Sequence, residues 1–258
     1  MVGEELVAQD PNELHRIRVR ERLNFLKEGM PCFIALSRND GVMLSFVEEI
    51  VLLALDDKSG KFVDLPPLAL DQALAGAVLL ELAFQNRIDT DLKHLTLVDQ
   101  KPLGDSLLDP VLKEIVDAKD KKDAKYWVGV LSSDGDRLRN AALQKLVSHG
   151  ILKKEEKKIL WVIPGRRYPM IDDREEREVR ARIRSVISGG EIPSPRDVVL
   201  ISLASACQLL RTIYSDAELL QNSQRIAAVS KMDLIGQAVS KSVAEVQEAV
   251  MRAVVYSV

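Results

Sequence analysis

The stretch that decides the fold is LALDQALAGAVLLELAFQNRI, residues 68–88. Between Ala73 and Leu80 it has no charged or amide side chain, so apolar groups cover every face of a helix that turns about 100° per residue. Asp71 and Glu81 bracket this run, which makes it shorter than the about 20 apolar residues that a membrane span needs. The stretch therefore predicts a central helix in the core of a soluble domain, surrounded by other helices.

Small and charged residues within the stretch refine this prediction. Ala75 and Gly76 allow neighbouring helices to approach closely. Asp71 suits the positive end of the helix dipole. Glu81 is the ionisable group deep in the apolar pattern. Because an unpaired buried carboxylate is costly, we expect Glu81 to meet an arginine or a backbone group.

The composition favours helices and limits the electrostatic role of the chain. The 258 residues are enough for one large domain or two small ones. Hydrophobic residues make up 47% of the chain and aromatic residues only 4%, which indicates an aliphatic core. Lys and Arg number 36 against 39 Asp and Glu, a net charge of −3. The molecule as a whole is therefore not a basic nucleic-acid binder, and any anion site is local.

The sequence predicts no catalytic residues, no metal site and no cofactor. The histidines His15, His94 and His149 lie in unrelated segments, without metal-ligand spacing, and no phosphate-binding loop or nucleophile motif is present. Cys32 and Cys207 are far apart in sequence, which predicts two reduced core thiols. No apolar secretion signal opens the chain. We therefore expect a cytoplasmic binding protein, with peripheral attachment to a membrane as an option.

The chain is predicted to consist of an N-terminal extension, residues 1–42, and a helical domain, residues 43–258. In the extension, residues 11–28 alternate arginines with apolar residues, a pattern that fits a basic amphipathic helix. Such a helix either contacts a membrane surface or has a solvated charged face.

Capping signals and apolar periodicity predict further helices. Ser45 followed by Glu48 has the spacing of a capping box, so a helix is expected from there to about residue 55. Asp136 is expected to cap a helix that reaches His149 and ends at Gly150. The remaining predicted helices lie at residues 107–118, 127–131, 172–188, 198–210, 216–231 and 233–256. The helix at 172–188 is expected to have Arg and Glu on its outer face. A short strand is predicted at 95–98.

A β-hairpin is predicted after the helix that ends at Gly150. Residues 151–153 and 158–162 flank a polar run, as two strands flank a turn. The second strand includes Ile159, Leu160 and Trp161. This apolar patch suits insertion at a membrane interface or contact with a second copy of the chain, and the alternative is that part of it packs on the body.

Arg139 lies in the middle of the apolar face of its predicted helix. Arginine is rarely buried without a partner, so this side chain is expected to meet an anion. The anion is either a lipid phosphate or a carboxylate of the protein, such as Glu81.

Three blocks of the sequence together resemble the Golgi phosphoprotein 3 family of peripheral membrane proteins. They are FVEEIVLLALDDKSGKF at residues 46–62, LAGAVLLELAFQNRI at 74–88 and LRNAALQKLVSHGIL at 138–152, which the hairpin and RRYPMID follow. The order and spacing match over about residues 43–210. The resemblance implies a mainly α-helical domain in which amphipathic helices surround a central hydrophobic helix and a β-hairpin protrudes.

In eukaryotic members of that family the domain binds phosphatidylinositol 4-phosphate in a basic pocket. Of four positions in the family's headgroup pattern, this sequence keeps one, Arg139. Pro66 stands in place of a tryptophan, and Ala75 and Asp136 stand in place of arginines. In this respect the chain looks more like similar bacterial domains that lack these residues than like a Golgi adaptor.

The resemblance thus implies a peripheral membrane protein that recognises an anionic headgroup, by analogy phosphatidylinositol 4-phosphate. The predicted headgroup site consists of Arg139 and Arg137, with Arg166 and Arg167 as nearby candidates.

Two other classes of function stay open. A capped helix followed by a two-stranded hairpin also describes a winged-helix unit, in which Arg137, Arg139 and Lys145 face nucleic-acid phosphates. The acidic net charge and the inward direction of Arg139 disfavour this function. The third class is a protein-interaction scaffold without lipid contact, which self-associates through the hairpin.

Overall fold

The computed structural model describes residues 43–57, 59–91, 94–118, 120–156 and 166–255. The helices of this part are α1 (Phe46–Ala54), α2 (Ala69–Phe84), α3 (Leu108–Asp117), α4 (Ala124–Ser132), α5 (Gly135–Ser148), α6 (Arg174–Ile187), α7 (Pro195–Ala206), a 3-10 helix (Leu209–Thr212), α8 (Asp216–Gln221), α9 (Ser223–Ser230) and α10 (Leu234–Val255). The strands are β1 (Ile88–Thr90), β2 (Leu95–Leu97), β3 (Glu155–Glu156) and β4 (Arg166–Arg167). The predicted amphipathic helix and Cys32 lie outside the described residues.

Helix α2 is the predicted central helix. Every residue from Ala69 to Leu82 is buried except Asp71. Glu81 Oε2 accepts a hydrogen bond from the backbone N–H of Phe46 at 3.0 Å, so a backbone group satisfies this carboxylate. The donor is the first residue of α1, where the helix dipole also favours a negative charge.

Six helices pack on α2, namely α1, α3, α4, α5, α7 and α10. Gly76 makes two of these contacts possible. A Cβ at this position would overlap the side chain of Val239 on α10 and would lie 3.0 Å from Leu203 Cδ2 on α7. The predicted fold class, mainly α with a central hydrophobic helix surrounded by others and a β-hairpin, is therefore confirmed.

Helix α1 begins with the predicted capping box. The backbone N–H of Glu48 donates to Ser45 Oγ, and the backbone N–H of Ser45 donates to Glu48 Oε2 at 2.9 Å. All nine residues of α1 are buried, including two glutamates. Both glutamates therefore require partners.

Glu49 is the buried centre of an ion cluster between α1, α6 and α7, and its partners are half-buried. This Glu49 cluster comprises Glu49, Arg182, Arg196 and Asp197. Glu49 Oε1 lies 2.7 Å from Arg182 Nη1, and its Oε2 lies 3.1 Å from Arg196 Nη2. Arg182 Nε also donates to Asp197 at 3.0 Å. The prediction that Arg and Glu lie on the outer face of α6 is thus wrong for Arg182, because α1 and α7 both pack against α6 and cover its flanks. It is also wrong for Glu176, which is buried.

The hairpin is present and extends beyond the first predicted strand, and the predicted second strand at 158–162 lies outside the described residues. Glu155 pairs with Arg167, Glu156 pairs with Arg166, and an isolated bridge joins Leu152 to Met170. The opposite charges of Glu155 and Arg167 favour this register. The predicted turn at 154–157 is therefore partly strand.

Other elements also differ from prediction. The helix predicted at 216–231 is divided into α8 and α9. Strand β2 is confirmed, but its antiparallel partner β1 was missed. Helix α5 already begins at Gly135, so Asp136 lies in its first turn, and the prediction that Asp136 is the cap is wrong. Helix α7 ends at Ala206, because Gln208 adopts a left-handed conformation with φ of 64°.

Two further properties bear on the predictions. Cys207 is a free, fully buried cysteine, and burial raises the pKa of its thiol to about 12, as expected of a core thiol. In the described part of the chain, every helix falls short of the combined length and hydropathy that a transmembrane span requires.

Candidate functional site

Arg139 projects from α5 toward the first turn of α2. Its Nη2 donates to Asp71 on α2, and its Nη1 lies 3.2 Å from Asp136 Oδ1 on α5. The guanidinium carbon lies 5.5 Å from the centre of the Phe62 ring, a cation–π contact. The anion that Arg139 meets is thus a carboxylate of the protein, and it is Asp71 rather than Glu81. We call Arg139, Asp71 and Asp136 the Arg139 cluster.

A glycine allows the two helices to bring this cluster together. A Cβ at Gly135 would overlap the carboxyl group of Asp71 and would lie 2.5 Å from Asp71 Cβ. Rotation of the Asp71 side chain moves its carboxylate but not its Cβ, so it does not relieve the contact between the two Cβ atoms. The start of α5 therefore reaches the start of α2 only because residue 135 has no side chain.

The cluster is half open to solvent and its charges are unevenly exposed. The side chain of Asp71 is 15% exposed, that of Arg139 is 27% exposed and that of Asp136 is 88% exposed. One guanidinium faces two carboxylates, which gives a formal charge of −1. Because exposed ion pairs contribute little, an external anion would displace Asp136 far more easily than Asp71.

The two other family positions contribute no charge. Ala75 is fully buried within α2, and Pro66 is half-buried in the loop before it. Neither side chain provides a hydrogen-bond donor for a phosphate. Of the four positions, only Arg139 supplies a cation.

Arg137 contacts other residues than Arg139 does. Arg137 donates to Asp134, and its Nη2 lies 3.5 Å from Glu114 on α3. Residues two apart on a helix differ in direction by about 200°, which explains why Arg137 and Arg139 contact different helices. Arg137 is therefore not a second ligand on the Asp71 side of α5.

The hairpin arginines lie on β4. The side chain of Arg166 and the residues Ile159, Leu160 and Trp161 lie outside what the structure describes. Next to Arg167, the backbone N–H of Tyr168 donates to the carbonyl of Gly60 at 2.8 Å. Gly60 belongs to the same loop as Phe62, so the base of the hairpin is joined to the loop that contacts Arg139.

The row of phosphate-facing cations that a winged helix requires is not formed by the predicted residues. Lys145 Nζ lies 2.5 Å from Asp105 Oδ2, and Arg137 and Arg139 have the carboxylate partners given above. Each of these three cations is thus already matched by an anion of the protein. Among the described residues, no group of three His, Cys, Asp or Glu side chains is placed to hold a metal ion.

Sequence reasoning missed two partners in this region. It considered Glu81 for Arg139, although Asp71 was the other carboxylate in the same stretch. It also missed the contact of 3.2 Å between His149 Nδ1 and the buried Glu48 Oε1, which joins the end of α5 to α1. The capping box identified only the local role of Glu48, because its second partner lies a hundred residues later.

The sequence blocks and the helical architecture agree with the comparison to known families. The family model of Golgi phosphoprotein 3 (GPP34) matches residues 46–246, which is most of the chain and nearly all of its described part. The chain therefore belongs to the Golgi phosphoprotein 3 family.

Proposed function

We propose that this protein is a peripheral membrane protein that binds an anionic lipid headgroup and acts by binding rather than catalysis. The observation that carries the proposal is its membership of the Golgi phosphoprotein 3 family over residues 46–246. By resemblance, the headgroup class is that of phosphatidylinositol 4-phosphate.

The outer side of Arg139 is where the headgroup phosphate would bind. This side faces Asp136, whose carboxylate is exposed and only 3.2 Å from Nη1. A phosphate that takes the place of Asp136 leaves the buried pair with Asp71 intact. The folded protein can therefore present this guanidinium without losing the contact that holds α5 on α2.

The replaced family positions make charge, rather than the inositol ring, the main determinant of binding. Pro66 and Ala75 offer no charged group, and Asp136 repels a phosphate. We propose that Arg166 and Arg167 add long-range attraction to an anionic surface, whereas Arg137 adds little because Asp134 and Glu114 already neutralise it. Such attraction weakens with salt, because the screening length is about 10 Å at 0.1 M and about 3 Å at 1 M.

The hairpin is proposed as the second contact. Ile159, Leu160 and Trp161 remain the residues predicted to insert at the membrane interface or to bind a second copy of the chain. Substitution of Trp161 by Ala separates these roles. A loss of liposome binding with an unchanged gel-filtration volume supports insertion, and a later elution volume supports self-association.

Liposome flotation tests the headgroup site. Phosphatidylcholine vesicles are prepared alone, with phosphatidylserine or with phosphatidylinositol 4-phosphate, and are used at low and high salt. We expect flotation with both anionic vesicles at low salt. Asp136→Asn is expected to increase it several-fold, because it removes the competing carboxylate, and Arg139→Gln is expected to decrease it.

The matched control is Asp216→Asn, which removes the same charge from the exposed first turn of α8. This variant is expected to float as the wild type does. Equal flotation of the wild type with neutral and anionic vesicles at low salt contradicts the proposal. Equal flotation of the Asp136→Asn and Asp216→Asn variants contradicts the location of the site.

A further inference from the structure

Two neighbouring cavities share two of their lining residues. The larger has a volume of about 610 Å³ and lies between the loop before α2, helix α6 and the 3-10 helix. The smaller has a volume of about 350 Å³ and lies between the 3-10 helix, α8 and α9. Gln208 and Arg211 line both. Each volume falls in the range of about 300–1,000 Å³ that is usual for small-molecule sites.

The larger cavity contains charges of both signs. Asp57 and Asp64 line it together with Arg180 and Arg211. The guanidinium of Arg180 is committed, because it pairs with Glu176 at 2.5 Å and its Nη1 donates to the carbonyl of Thr212 at 2.6 Å. Arg211 and Asp64 are exposed, and within the described residues neither has an ion-pair partner. The cavity therefore offers one cation without an ion-pair partner among the described residues, Arg211, opposite a group of three aspartates, Asp56, Asp57 and Asp64.

The smaller cavity is mainly apolar. Its walls include Leu210, Leu219, Ile226 and Ala227, and its polar groups are mostly serine hydroxyls. Helix α8 contributes to it without burying any of its own residues. A hydrocarbon segment is the ligand group that such walls fit, because burial of apolar surface is what they can offer.

The backbone at the junction holds Arg211 between the two cavities. Gln208 has φ of 64° and ψ of 16°, a left-handed backbone conformation that residues other than glycine seldom adopt. Its carbonyl accepts a hydrogen bond from the backbone N–H of Arg211 at 3.2 Å, and the neighbouring Cys207 and Leu209 are fully buried. This anchored turn places Arg211 in the wall of both cavities.

We propose that the double cavity binds a zwitterionic phospholipid. The phosphate pairs with Arg211 at the junction, the ammonium group enters the larger cavity toward Asp64 and Asp57, and the hydrocarbon part lies along Leu219 and Ile226. Charge complementarity selects this class of ligand. An anionic amphiphile without an amine meets the aspartates unfavourably, and a cationic amphiphile leaves Arg211 unmatched. This site goes beyond the proposed function, because it lies apart from the Arg139 cluster and takes a different lipid class.

Titration calorimetry on the full chain tests the site. The probe is a short-chain phosphatidylethanolamine kept below its micelle concentration, and the comparison ligands are the matching phosphatidic acid and free phosphoethanolamine. We expect Arg211→Gln to weaken binding of phosphatidylethanolamine at least tenfold. Ala227→Trp, at an exposed position on the wall of the smaller cavity, is expected to weaken it at least tenfold by filling the space for hydrocarbon.

Asp64→Asn separates the headgroup chemistry from general attraction. It is expected to weaken binding of phosphatidylethanolamine several-fold and to leave binding of phosphatidic acid unchanged or stronger. The matched control is Arg177→Gln, an exposed arginine of α6 that lines neither cavity and whose partner is Asp173. This control is expected to bind as the wild type does.

Three outcomes overturn the proposal: no binding of phosphatidylethanolamine by the wild type, equal binding by the Arg211→Gln and Arg177→Gln variants, or equal affinity for free phosphoethanolamine and the lipid. The Arg139→Gln variant tests whether this site is independent of the headgroup site of the proposed function. Unchanged affinity for phosphatidylethanolamine in that variant supports an independent site, and a parallel loss overturns the separation of the two.

Discussion

Two arginine-carboxylate clusters of this molecule contain similar groups in different surroundings. In the Glu49 cluster, two arginines face Glu49 and Asp197, and the side chain of Glu49 is only 4% exposed. In the Arg139 cluster, one arginine faces two carboxylates, and one of these, Asp136, is almost fully exposed. The first cluster is closed and balanced in charge, whereas the second is open and carries an excess carboxylate.

The difference teaches which arginine is available to a ligand. Breaking a buried ion pair leaves an uncompensated charge in a medium that solvates it poorly, so the Glu49 cluster is structural. An exposed pair exchanges with water and salt at little cost, so the Asp136 side of Arg139 is open to exchange. Burial of the carboxylate, rather than the presence of an arginine, separates the two roles.

The largest effect is expected from breaking the closed cluster. Glu49→Ala leaves Arg182 and Arg196 without their shared carboxylate, and the free energy of unfolding should fall by about 3–5 kcal/mol. Urea unfolding measures this change. Glu178→Ala, at an exposed position of α6, is the control and should change stability by less than about 0.5 kcal/mol. Similar losses in the two variants would remove the structural role of the Glu49 cluster.

Local patterns in the sequence were enough to predict much of the fold, and these clusters show where prediction stopped. The unbroken apolar run predicted α2, and the spacing of Ser45 and Glu48 predicted the cap of α1, because both signals act within a few turns of one helix. The arginines of α6 looked like solvated charges. Periodicity identifies the apolar face of a helix, but it does not show that a second helix covers the flank.

The candidate site was predictable only in part for the same reason. The position of Arg139 within an apolar face showed that it needs an anion. The identity of that anion depends on Gly135, which lets α5 approach α2, and this approach is a property of two helices that are far apart in sequence. Strand β1 was missed because three residues are too few to establish an alternating pattern.

A third kind of environment is a buried carboxylate without a cation beside it, and Asp233 provides it. Its contribution to stability is expected to depend on pH. Asp233 caps α10 and accepts the backbone N–H groups of Ile235 and Gly236 at 3.1 and 2.9 Å, and no described cation pairs with it. Burial raises the pKa of Asp233 from 3.8 to about 6. The native state therefore holds a proton that the unfolded chain releases between these values.

The stability that Asp233 contributes is thus present below pH 4 and is lost as the pH rises through about 6. Relative to Asp233→Asn, whose amide keeps the cap without titrating, the wild type should lose about 2 kcal/mol between pH 4 and pH 7. Urea unfolding of both proteins across this range measures the difference. A difference that does not vary with pH would show that the backbone N–H groups offset the effect of burial.

Substitution of two helical glycines tests the close approach of α5 to α2 at the Arg139 cluster. Gly135→Ala pushes a Cβ into Asp71 and should cost about 1–2 kcal/mol, because neither backbone nor Asp71 Cβ can move aside freely. Gly129→Ala on α4 meets open space and should stabilise the protein by up to about 1 kcal/mol. Thermal unfolding distinguishes the two, and equal shifts of the midpoint would contradict the proposed contact between α5 and α2.

The smallest effects are expected from the open cluster itself, and their order is what matters. Arg139→Gln leaves the half-buried Asp71 without its cation and should cost about 1 kcal/mol, which is less than the loss from Glu49→Ala because water still reaches the site. Asp136→Asn should change stability by less than about 0.5 kcal/mol, since its carboxylate is already solvated. Urea unfolding at low and high salt measures both. If Asp136→Asn costs as much as Arg139→Gln, the outer carboxylate belongs to the structure of the fold, and the side of Arg139 that we assign to a lipid phosphate is already occupied.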